Sequence, residues 1–499
     1  MPDINPHHER RWAILAILGL AQLMVVLDAT IVNIALPSAQ RALHFSNDNR
    51  QWIVTAYSLA FGSLLLLGGK LSDLFGRKWT FIGGMIGFAL ASAVGGAAQS
   101  FVMLAVARAF QGAFGAILAP AALSLLTTTF TRTDERNKAF GVFGAVAGSG
   151  ASIGLLLGGV LTQTLNWRFS MYVNDVIAVF TLCGALILLH NVPNPDKPKL
   201  DLAGTIAVSL GLFAVVFGFN RAQIDGWTAA VTLISLAAGV VLLIGFALLE
   251  TRIAHPLMPM RVVANRNRAA SFLGMLLPAA AMFGVFLFLT YYLQDDRGYS
   301  PIKSGLAFLP MTAIIMVTAV TVSTVLLARV GPKLLVTTGM ILAAIGMALF
   351  TRIGVDTTFV WPILPGELVM GMGLGFIFAT AMNSSTIGVE PSDAGVASAL
   401  VNACQQVGGA LGTALLSTIA ASAAAGFAAN HIASAGASIA HNPAAQHLLA
   451  ERAAIHGYSV AFWVSALIFV VGAGLSAVLY ERGVKVTEES MGGEPVLAH

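Results

Sequence analysis

Four ionisable residues interrupt long apolar stretches of the sequence: Asp28, Arg108, Asp175 and Glu367. A charged side chain at the centre of a membrane-spanning helix costs about 2.5–3.5 kcal/mol on insertion scales, so such residues are kept where they serve a function. A carboxyl group can take up and release a proton there, whereas the ten histidines all lie at helix ends, in loops or at the termini. Asp28 and Glu367 are therefore the predicted proton-coupling acids, and Arg108 can neutralise one of them.

The composition places the chain in a lipid bilayer. Of its 499 residues, 57% are apolar and only 10% are charged, and the mean hydropathy is +0.82. Soluble proteins carry about 25% charged residues, and disordered chains are poor in apolar residues, so both classes are excluded. The net charge of +4 is scattered along the chain, which argues against a nucleic-acid partner.

Fourteen apolar runs are predicted to cross the membrane as helices, since a spanning helix needs about 20 apolar residues. An even number of spans puts both termini on one side. Most of the 27 Lys and Arg residues fall in connections on that side, which the positive-inside rule assigns to the cytoplasm. We number the runs as spans 1 to 14: 12–36, 51–69, 79–98, 101–126, 138–163, 169–190, 202–219, 228–249, 270–294, 304–327, 334–351, 359–388, 395–425 and 458–480.

The charged residues of spans 1, 4 and 12 share one depth. At 1.5 Å per residue, Asp28, Arg108 and Glu367 each lie about 11–12 Å from the outer end of their span. Arg108 and Glu367 also precede a glycine by four residues, Gly112 and Gly371 respectively. This repetition predicts two related halves, with spans 7 and 8 inserted between them.

A tight polar loop from Gly69 to Lys78 joins spans 2 and 3 and combines two glycines, one acid and three bases. We expect Asp73 to cap the N-terminus of the third helix. Arg77 and Lys78 are expected to anchor the loop at the anionic inner leaflet. Gly76 is the second glycine of the turn.

This loop closely resembles the signature loop of the major facilitator superfamily. Residues 27–37, with the sequence LDATIVNIALP, resemble the helix 1 motif of its fourteen-helix drug:proton antiporter family. Further matches lie at 104–112, with the sequence LAVARAFQG, and at Trp167, Arg168 and Asn174. The resemblance spans the chain and implies an all-α polytopic membrane protein with the major facilitator fold, in which two six-helix bundles and two inserted central helices make fourteen transmembrane helices.

The resemblance also implies a division of the chain. Residues 1–190 form an N-terminal six-helix bundle, residues 191–265 a linker with two additional transmembrane helices, and residues 266–499 a C-terminal six-helix bundle. A long outer hairpin is expected at about 426–457 within the last part.

The function implied by the resemblance is proton-coupled export of lipophilic, cationic small molecules by alternating access, as in multidrug efflux and antibiotic resistance. Its partners are a small-molecule substrate, protons and the bilayer, with a proton gradient in place of any cofactor. A monomer in the cytoplasmic membrane of a bacterium, with both termini inside, is expected.

The alternative function is that of a proton-coupled symporter or facilitator of a neutral or anionic metabolite or lipid. A polytopic membrane enzyme is the least favoured class, because no cluster of His, Asp or Glu has ligand spacing near one membrane face.

In the superfamily fold, spans 1, 4, 9 and 12 line a central cavity, so the resemblance brings the charged residues of three spans toward one chamber. Aromatic faces there would hold a lipophilic cation. The alternative for these aromatic residues is lipid contact or core packing.

The alternative for Asp28 is a structural pairing with Arg108, or with Asn33 and Thr30. Asp175 lies on a peripheral span and is expected to be structural. The candidate cavity residues are Asp28, Glu367, Arg108, Asn33, Tyr57, Phe110 and Tyr291.

The family resemblance further assigns Asp73 and Arg77 to a conformational latch between the two halves, the alternative being membrane anchoring alone. In span 5, Gly154, Gly158 and Gly159 belong to a stripe of small residues that permits close helix packing, and the family assigns this segment to coupling.

No catalytic or metal site is expected, because the hairpin histidines match no compact ligand spacing. These are His431, His441, His447 and His456.

Overall fold

The structure, a computed structural model, describes residues 10–45, 47–190, 201–253, 256–387, 389–390, 393–435 and 443–481. Within these ranges the chain is almost entirely helical, and thirteen helices are long and apolar enough to cross a membrane. The helix that contains predicted span 5 has a shorter described apolar stretch, Ile153–Thr164. The prediction of an all-α polytopic membrane protein is confirmed.

The first eight helices correspond to spans 1 to 8 in order: α1 (Arg11–Leu43), α2 (Asn47–Phe75), α3 (Arg77–Gly96), α4 (Phe101–Thr129), α5 (Thr133–Thr164), α6 (Phe169–Leu188), α7 (Leu202–Asp225) and α8 (Ala230–Glu250). The remaining helices are α9 (Met260–Ala264), α10 (Arg266–Gly284), α11 (Pro301–Ala307), α12 (Leu309–Thr321), α13 (Leu327–Val330), α14 (Pro332–Phe350), α15 (Ile363–Thr386), α16 (Ala394–Ala435) and α17 (Pro443–Leu479). Span 9 is α10 with two π-helical segments, Val285–Leu289 and Tyr292–Asp296, and span 10 is α11 to α13 with a third, Val322–Leu326.

We call α1–α6 the first half, α10–α17 the second half and α7–α8 the inserted pair. In the first half, α1 packs on α5 and α6, while α4 packs on α2 and α3. In the second half, α10 packs on α16 and α17, and α15 packs on α12 and α14. The inserted helix α7 contacts α2 of the first half and α16 of the second.

The two halves repeat the same local geometry. Gly76 precedes α3 with φ of +86°, and Gly331 precedes α14 with φ of +81°, a conformation that L side chains rarely adopt. A Cβ at Gly112 would overlap the Tyr57 carbonyl oxygen on α2, and a Cβ at Gly371 would lie 2.8 Å from the Met311 oxygen on α12. The predicted repetition is therefore visible in the backbone as well as in the sequence.

We call the end of the bundle at which α2 meets α3 the α2–α3 face, and the opposite end the α1–α2 face. At the α2–α3 face, Arg136 Nη2 donates to Thr386 Oγ1 at 2.9 Å. Asn383 Nδ2 donates to Asn137 Oδ1 at 2.6 Å. These two hydrogen bonds, which we call the α5–α15 gate, join the halves.

At the α1–α2 face, α5 also meets the second half. The glycine of α11, Gly305, packs so closely on α5 that a Cβ there would lie 2.7 Å from the Leu156 Cα atom. Trp227, between α7 and α8, donates from its indole to Thr418 Oγ1 on α16 at 3.2 Å. The halves are therefore in contact at both faces along α5.

The outer hairpin expected at about 426–457 is helical over the residues that the structure describes. Helix α16 continues to Ala435, and α17 already begins at Pro443, because an alanine-rich sequence favours helix even without an apolar run. The Phe427 ring stacks on His431 at 4.0 Å and packs against His456 at 4.9 Å between ring centroids. The described part of the hairpin is thus a pair of helices that Phe427 joins through its contact with His456.

Candidate functional site

The site is built around Asp28, which lies in the middle of α1 and is 0% exposed. Arg108 Nη1 on α4 donates to Asp28 Oδ2 at 2.5 Å, which makes a buried ion pair. Asn174 Nδ2 on α6 donates to Asp28 Oδ1 at 2.7 Å, and Gln111 Nε2 donates to the same oxygen at 3.2 Å. Three donors on two helices therefore stabilise the ionised form of this carboxyl group.

Arg108 is itself enclosed by other side chains and is 1% exposed. Besides its bond to Asp28, Nη1 donates to Gln111 Oε1 at 2.9 Å, and the guanidinium carbon lies 4.3 Å from the centroid of the Tyr57 ring. A ring face at this distance attracts a cation. Among the described residues, Arg108 Nε has no hydrogen-bond partner, so this cation retains one unused donor.

Ser92 on α3 completes the polar cluster. Its hydroxyl accepts from Gln111 Nε2 at 2.6 Å and from Asn174 Nδ2 at 3.5 Å, and it donates to the Phe88 carbonyl at 2.9 Å. We call Asp28, Arg108, Gln111, Asn174 and Ser92 the Asp28 cluster. Four helices of the first half contribute to it.

The sequence predicted part of this cluster. The structure brings Asp28 and Arg108 together and places Tyr57 against Arg108, as expected for a shared site. Gln111 and Asn174 were not among the predicted site residues, although both lie in the quoted motifs. Gln111 follows Arg108 by three residues and so shares its helix face, which is the signal that could have found it.

Helix α5 lies against the same part of α1 as the cluster. A Cβ at Gly154 would overlap Thr30 Oγ1 and lie 3.0 Å from the Leu27 carbonyl oxygen, and one at Gly158 would lie 2.9 Å from Ile31 Cγ1. Gly159 is also buried. These glycines let α5 approach the backbone of α1 on both sides of Asp28.

Glu367 is not part of the Asp28 cluster. It is 0% exposed on α15, in the second half, and within the described ranges neither of its carboxylate oxygens has a hydrogen-bond partner. An ionised carboxylate would be uncompensated in such a site, whereas the protonated form carries no net charge. Asp28 and Arg108 meet in the first half, whereas Glu367 lies buried in the second half without a hydrogen bond to either of them, so a chamber common to the three residues remains a prediction.

The remaining cavity candidates lie elsewhere. Phe110 is 56% exposed on the face of α4 opposite to Arg108, in line with the exposed Val102 and Val106, so its assignment to the cavity is wrong. Tyr291 is partly exposed on span 9 of the second half. The Asn33 side chain lies outside the described part of the chain. Asp175 is half-buried beside Asn174 but outside the cluster.

The loop from Gly69 to Lys78 differs from the expected arrangement. Asp73 does not cap α3, because α2 continues to Phe75 and the N-cap residue of α3 is Gly76, without a side-chain cap. Asp73 instead lies buried in the last turn of α2, close enough to Arg77 for their charges to interact.

The bases of this loop bind to neighbouring helices and segments. Arg77 Nε donates to Ser124 Oγ on α4 at 2.8 Å, and Lys78 Nζ donates to the Leu189 carbonyl after α6 at 2.6 Å. Both hydrogen bonds stay within the first half. Lys70 reaches further, since its Nζ lies 3.5 Å from the Pro256 carbonyl oxygen that follows α8.

Two helical halves that repeat one geometry and each enclose a buried carboxyl group define a membrane transporter of the internal-repeat type. Residues 18–413 match the sequence model of the Major Facilitator Superfamily, and the chain belongs to this family. It is therefore a transporter and not an enzyme. The resemblance inferred from the loop and the helix 1 motif is confirmed.

Named relatives and a solved structure agree with this assignment. The chain is 45% identical over 483 residues to the puromycin resistance protein pur8 of Streptomyces alboniger, covering 96% of this chain and 93% of the relative. It is 36% identical to the cephamycin export protein CmcT of Amycolatopsis lactamdurans, over 81% of this chain and 84% of the relative. The solved proton:xylose symporter XylE matches with a TM-score of 0.62 at 13% identity, covering 93% and 94% of the two chains. The chain is thus a multi-pass membrane protein with bacterial relatives.

Proposed function

We propose that the protein exports lipophilic, cationic small molecules in exchange for protons, and that Asp28 is the coupling acid. The observation that carries the proposal is the buried Asp28–Arg108 ion pair at the centre of the first half. The relatives named for puromycin resistance and for cephamycin export support export as the direction. The likeness to XylE, titled a proton:xylose symporter, supports the fold alone.

The charge of the Asp28 cluster explains why proton and cation would bind in turn. With Asp28 ionised, the pair with Arg108 is neutral. When Asp28 takes up a proton, the guanidinium stays charged, because an arginine does not lose its proton in a protein, and the cluster becomes positive. A cationic substrate is then repelled from the first half and tolerated again after the proton leaves, which is the exchange that an antiporter needs.

The same reasoning defines the second candidate function. An anionic substrate would be attracted to the cluster in its protonated, positive form and would bind together with the proton. That order of binding gives symport, the alternative for a neutral or anionic metabolite or lipid. The charge of the transported molecule therefore decides between the two candidates.

Glu367 is the second proposed proton carrier. It corresponds in the repeat to Arg108, since each residue precedes by four the glycine that packs on the neighbouring helix. Its site offers no partner among the described residues, so an ionised Glu367 gains most from a cationic substrate in the second half. We therefore expect Glu367 to add to substrate affinity, and Asp28 to be the group without which coupling fails.

Alternating access requires the halves to separate at one face at a time. The α5–α15 gate is the polar contact that must break for the cluster to open toward the α2–α3 face.

We propose that the α2–α3 face lies in the cytoplasm, with both termini, because it carries most of the Lys and Arg in the short connections. The proposed location is the cytoplasmic membrane of a bacterium, with the monomer as the functional unit. Asp73 and Arg77 remain the proposed latch at this face.

Everted membrane vesicles test the proposed direction and the coupling acid together. An imposed proton gradient, acid inside, should drive puromycin into vesicles that contain the wild-type protein. Asp28→Asn should abolish this uptake, and Asp175→Asn is the matched control, since Asp175 is a half-buried acid outside the cluster. Glu367→Gln should weaken apparent affinity for the substrate.

Purified protein supplies a second readout that does not depend on vesicle orientation. A lipophilic cation should release protons from the wild type, and the release should be lost in Asp28→Asn. Gradient-driven movement of the substrate out of everted vesicles would overturn export. Full transport against a gradient by a folded Asp28→Asn variant would remove Asp28 from the mechanism.

A further inference from the structure

Two carboxyl groups that the transport mechanism does not use meet at the α2–α3 face of the inserted pair. Asp201 is the N-cap residue of α7, and its Oδ1 accepts from the Gly204 backbone N–H at 2.9 Å. Glu250 ends α8 and is buried, and its Oε2 accepts from the Met258 backbone N–H at 2.8 Å. Each carboxyl group thus uses one oxygen to hold a backbone segment in place.

The other oxygen of each carboxyl group is directed at its counterpart. Within the described part of the chain, Asp201 Oδ2 and Glu250 Oε1 are both buried without a hydrogen-bond donor. Both oxygens lie within 2.6 Å of the position that a Cβ of residue 204 would occupy. A side chain at this position would displace the two carboxyl groups. The two oxygens therefore lie next to one another at Gly204, yet two acceptors can form a hydrogen bond only if one of them carries a proton.

The charges around this pair do not replace a proton. Lys70 on α2 interacts electrostatically with Glu250, but the hydrogen bond from its ammonium group goes to the Pro256 carbonyl. Arg252, which follows α8, is exposed. Arg261 on α9 is held by Asp393 and Glu390, and its hydrogen bond to Asp393 raises the pKa of the guanidinium above its usual value. His255 lies outside the described residues.

We propose that Asp201 and Glu250 share a single proton and form a proton-binding clasp between the ends of the inserted helices. With the proton bound, one carboxyl group donates to the other, and the start of α7 is tied to the end of α8 and to the segment at Met258. Loss of the proton leaves two carboxylates face to face, and their repulsion separates the helix ends. Because the same segment accepts from Lys70, the clasp links the inserted pair to the end of α2.

Spin labels on the two helix ends can measure the clasp in the full-length protein in lipid nanodiscs. Ala203 and Thr251 are exposed next to the two acids and can be replaced by cysteine, after Cys183→Ser and Cys404→Ser remove the native thiols. We expect a single narrow distance distribution at about pH 5, where the shared proton is bound, and a broad one at about pH 9, where it has been released.

Three variants separate a shared proton from a general effect of pH. Glu250→Gln replaces the proton by a permanent amide donor, so its distribution should stay narrow at both pH values. Gly204→Ala forces the carboxyl groups apart and should give a broad distribution at both. Glu451→Gln, which removes an acid on α17, should respond to pH as the wild type does. A wild-type distribution that is independent of pH, or a Glu250→Gln variant that broadens at high pH, would overturn the proposal.

Discussion

Asn174 offers the sharpest test of how the Asp28 cluster controls the coupling acid. Its amide donates to Asp28 Oδ1 at 2.7 Å inside the first half, and a carboxylate accepts such a bond more strongly than a protonated carboxyl group does. A hydrogen bond to a charged group contributes about 1.5–3 kcal/mol. Since about 1.4 kcal/mol corresponds to a factor of ten, Asn174→Ala should weaken the apparent affinity for a cationic substrate by about 10-fold to 100-fold.

The direction of this effect follows from the state that the bond stabilises. Removing the donor destabilises the Asp28 carboxylate, which is the form that export of a cation requires. The apparent affinity for the substrate should therefore fall and not rise. It can be measured in proteoliposomes with equal pH on both sides, where exchange of labelled puromycin reports on the cluster without a driving gradient.

The matched control is Asn402→Ala on α16. Asn402 is also buried and its amide also donates one hydrogen bond, to the Ser398 carbonyl at 3.0 Å, but it lies in the second half. Its apparent affinity for puromycin should keep the wild-type value even if the protein is less stable. An Asn174→Ala variant that is folded and binds puromycin with unchanged or higher affinity would refute the assignment of Asp28 as the coupling acid.

Three further outcomes are expected. Gly154→Ala should lower the midpoint of thermal unfolding in detergent, because its Cβ overlaps a threonine hydroxyl on α1 and overpacking costs about 1–3 kcal/mol. The control Gly83→Ala, which has open space around it, should not lower this midpoint. Equal decreases in the two variants would contradict the close packing of α5 on α1. Asn383→Ala removes one hydrogen bond of the α5–α15 gate, which contributes about 0.5–1.5 kcal/mol. The fraction of molecules open at the α2–α3 face, measured from spin-label distances between α5 and α15, should therefore rise about 2-fold to 10-fold. An unchanged fraction would show that this bond does not hold the gate. Arg261→Ala breaks two ion pairs, but its side chain is 58% exposed, so the free energy of unfolding should fall by less than about 1 kcal/mol per pair. A much larger effect on the unfolding temperature would mean that α9 is held mainly by these charges.

Hydropathy and buried charge predicted the helices and the central ion pair well. A spanning helix must satisfy its backbone internally, so each apolar run could be assigned to a helix without knowing its neighbours. Asp28 and Arg108 were expected to meet because two opposite charges at one depth have few other ways to be compensated. Their contact in the structure follows from this restriction.

The rotation of each helix about its axis was much harder to predict. In spans that are apolar all round, the sequence carries little amphipathic signal, so a residue such as Phe110 can face lipid or a cavity with the same local pattern. Glu367 shows the related difficulty for depth, because equal depth alone does not bring two side chains into contact. Asp73 shows it for helix ends, since α2 continues through a polar segment that hydropathy assigns to a loop.

The three-ring contact at Phe427 has a mechanical consequence. Helix α16 has 42 residues and is therefore about 63 Å long, roughly twice the thickness of the hydrocarbon core. Because Phe427 ties it to α17 beyond the membrane, the two helices form a stiff lever arm attached to the second half. A tilt of about 10° around its midpoint displaces the end of such an arm by about 5 Å. Small rotations of the second half should therefore displace the end of the hairpin far enough to be measured in single-molecule experiments.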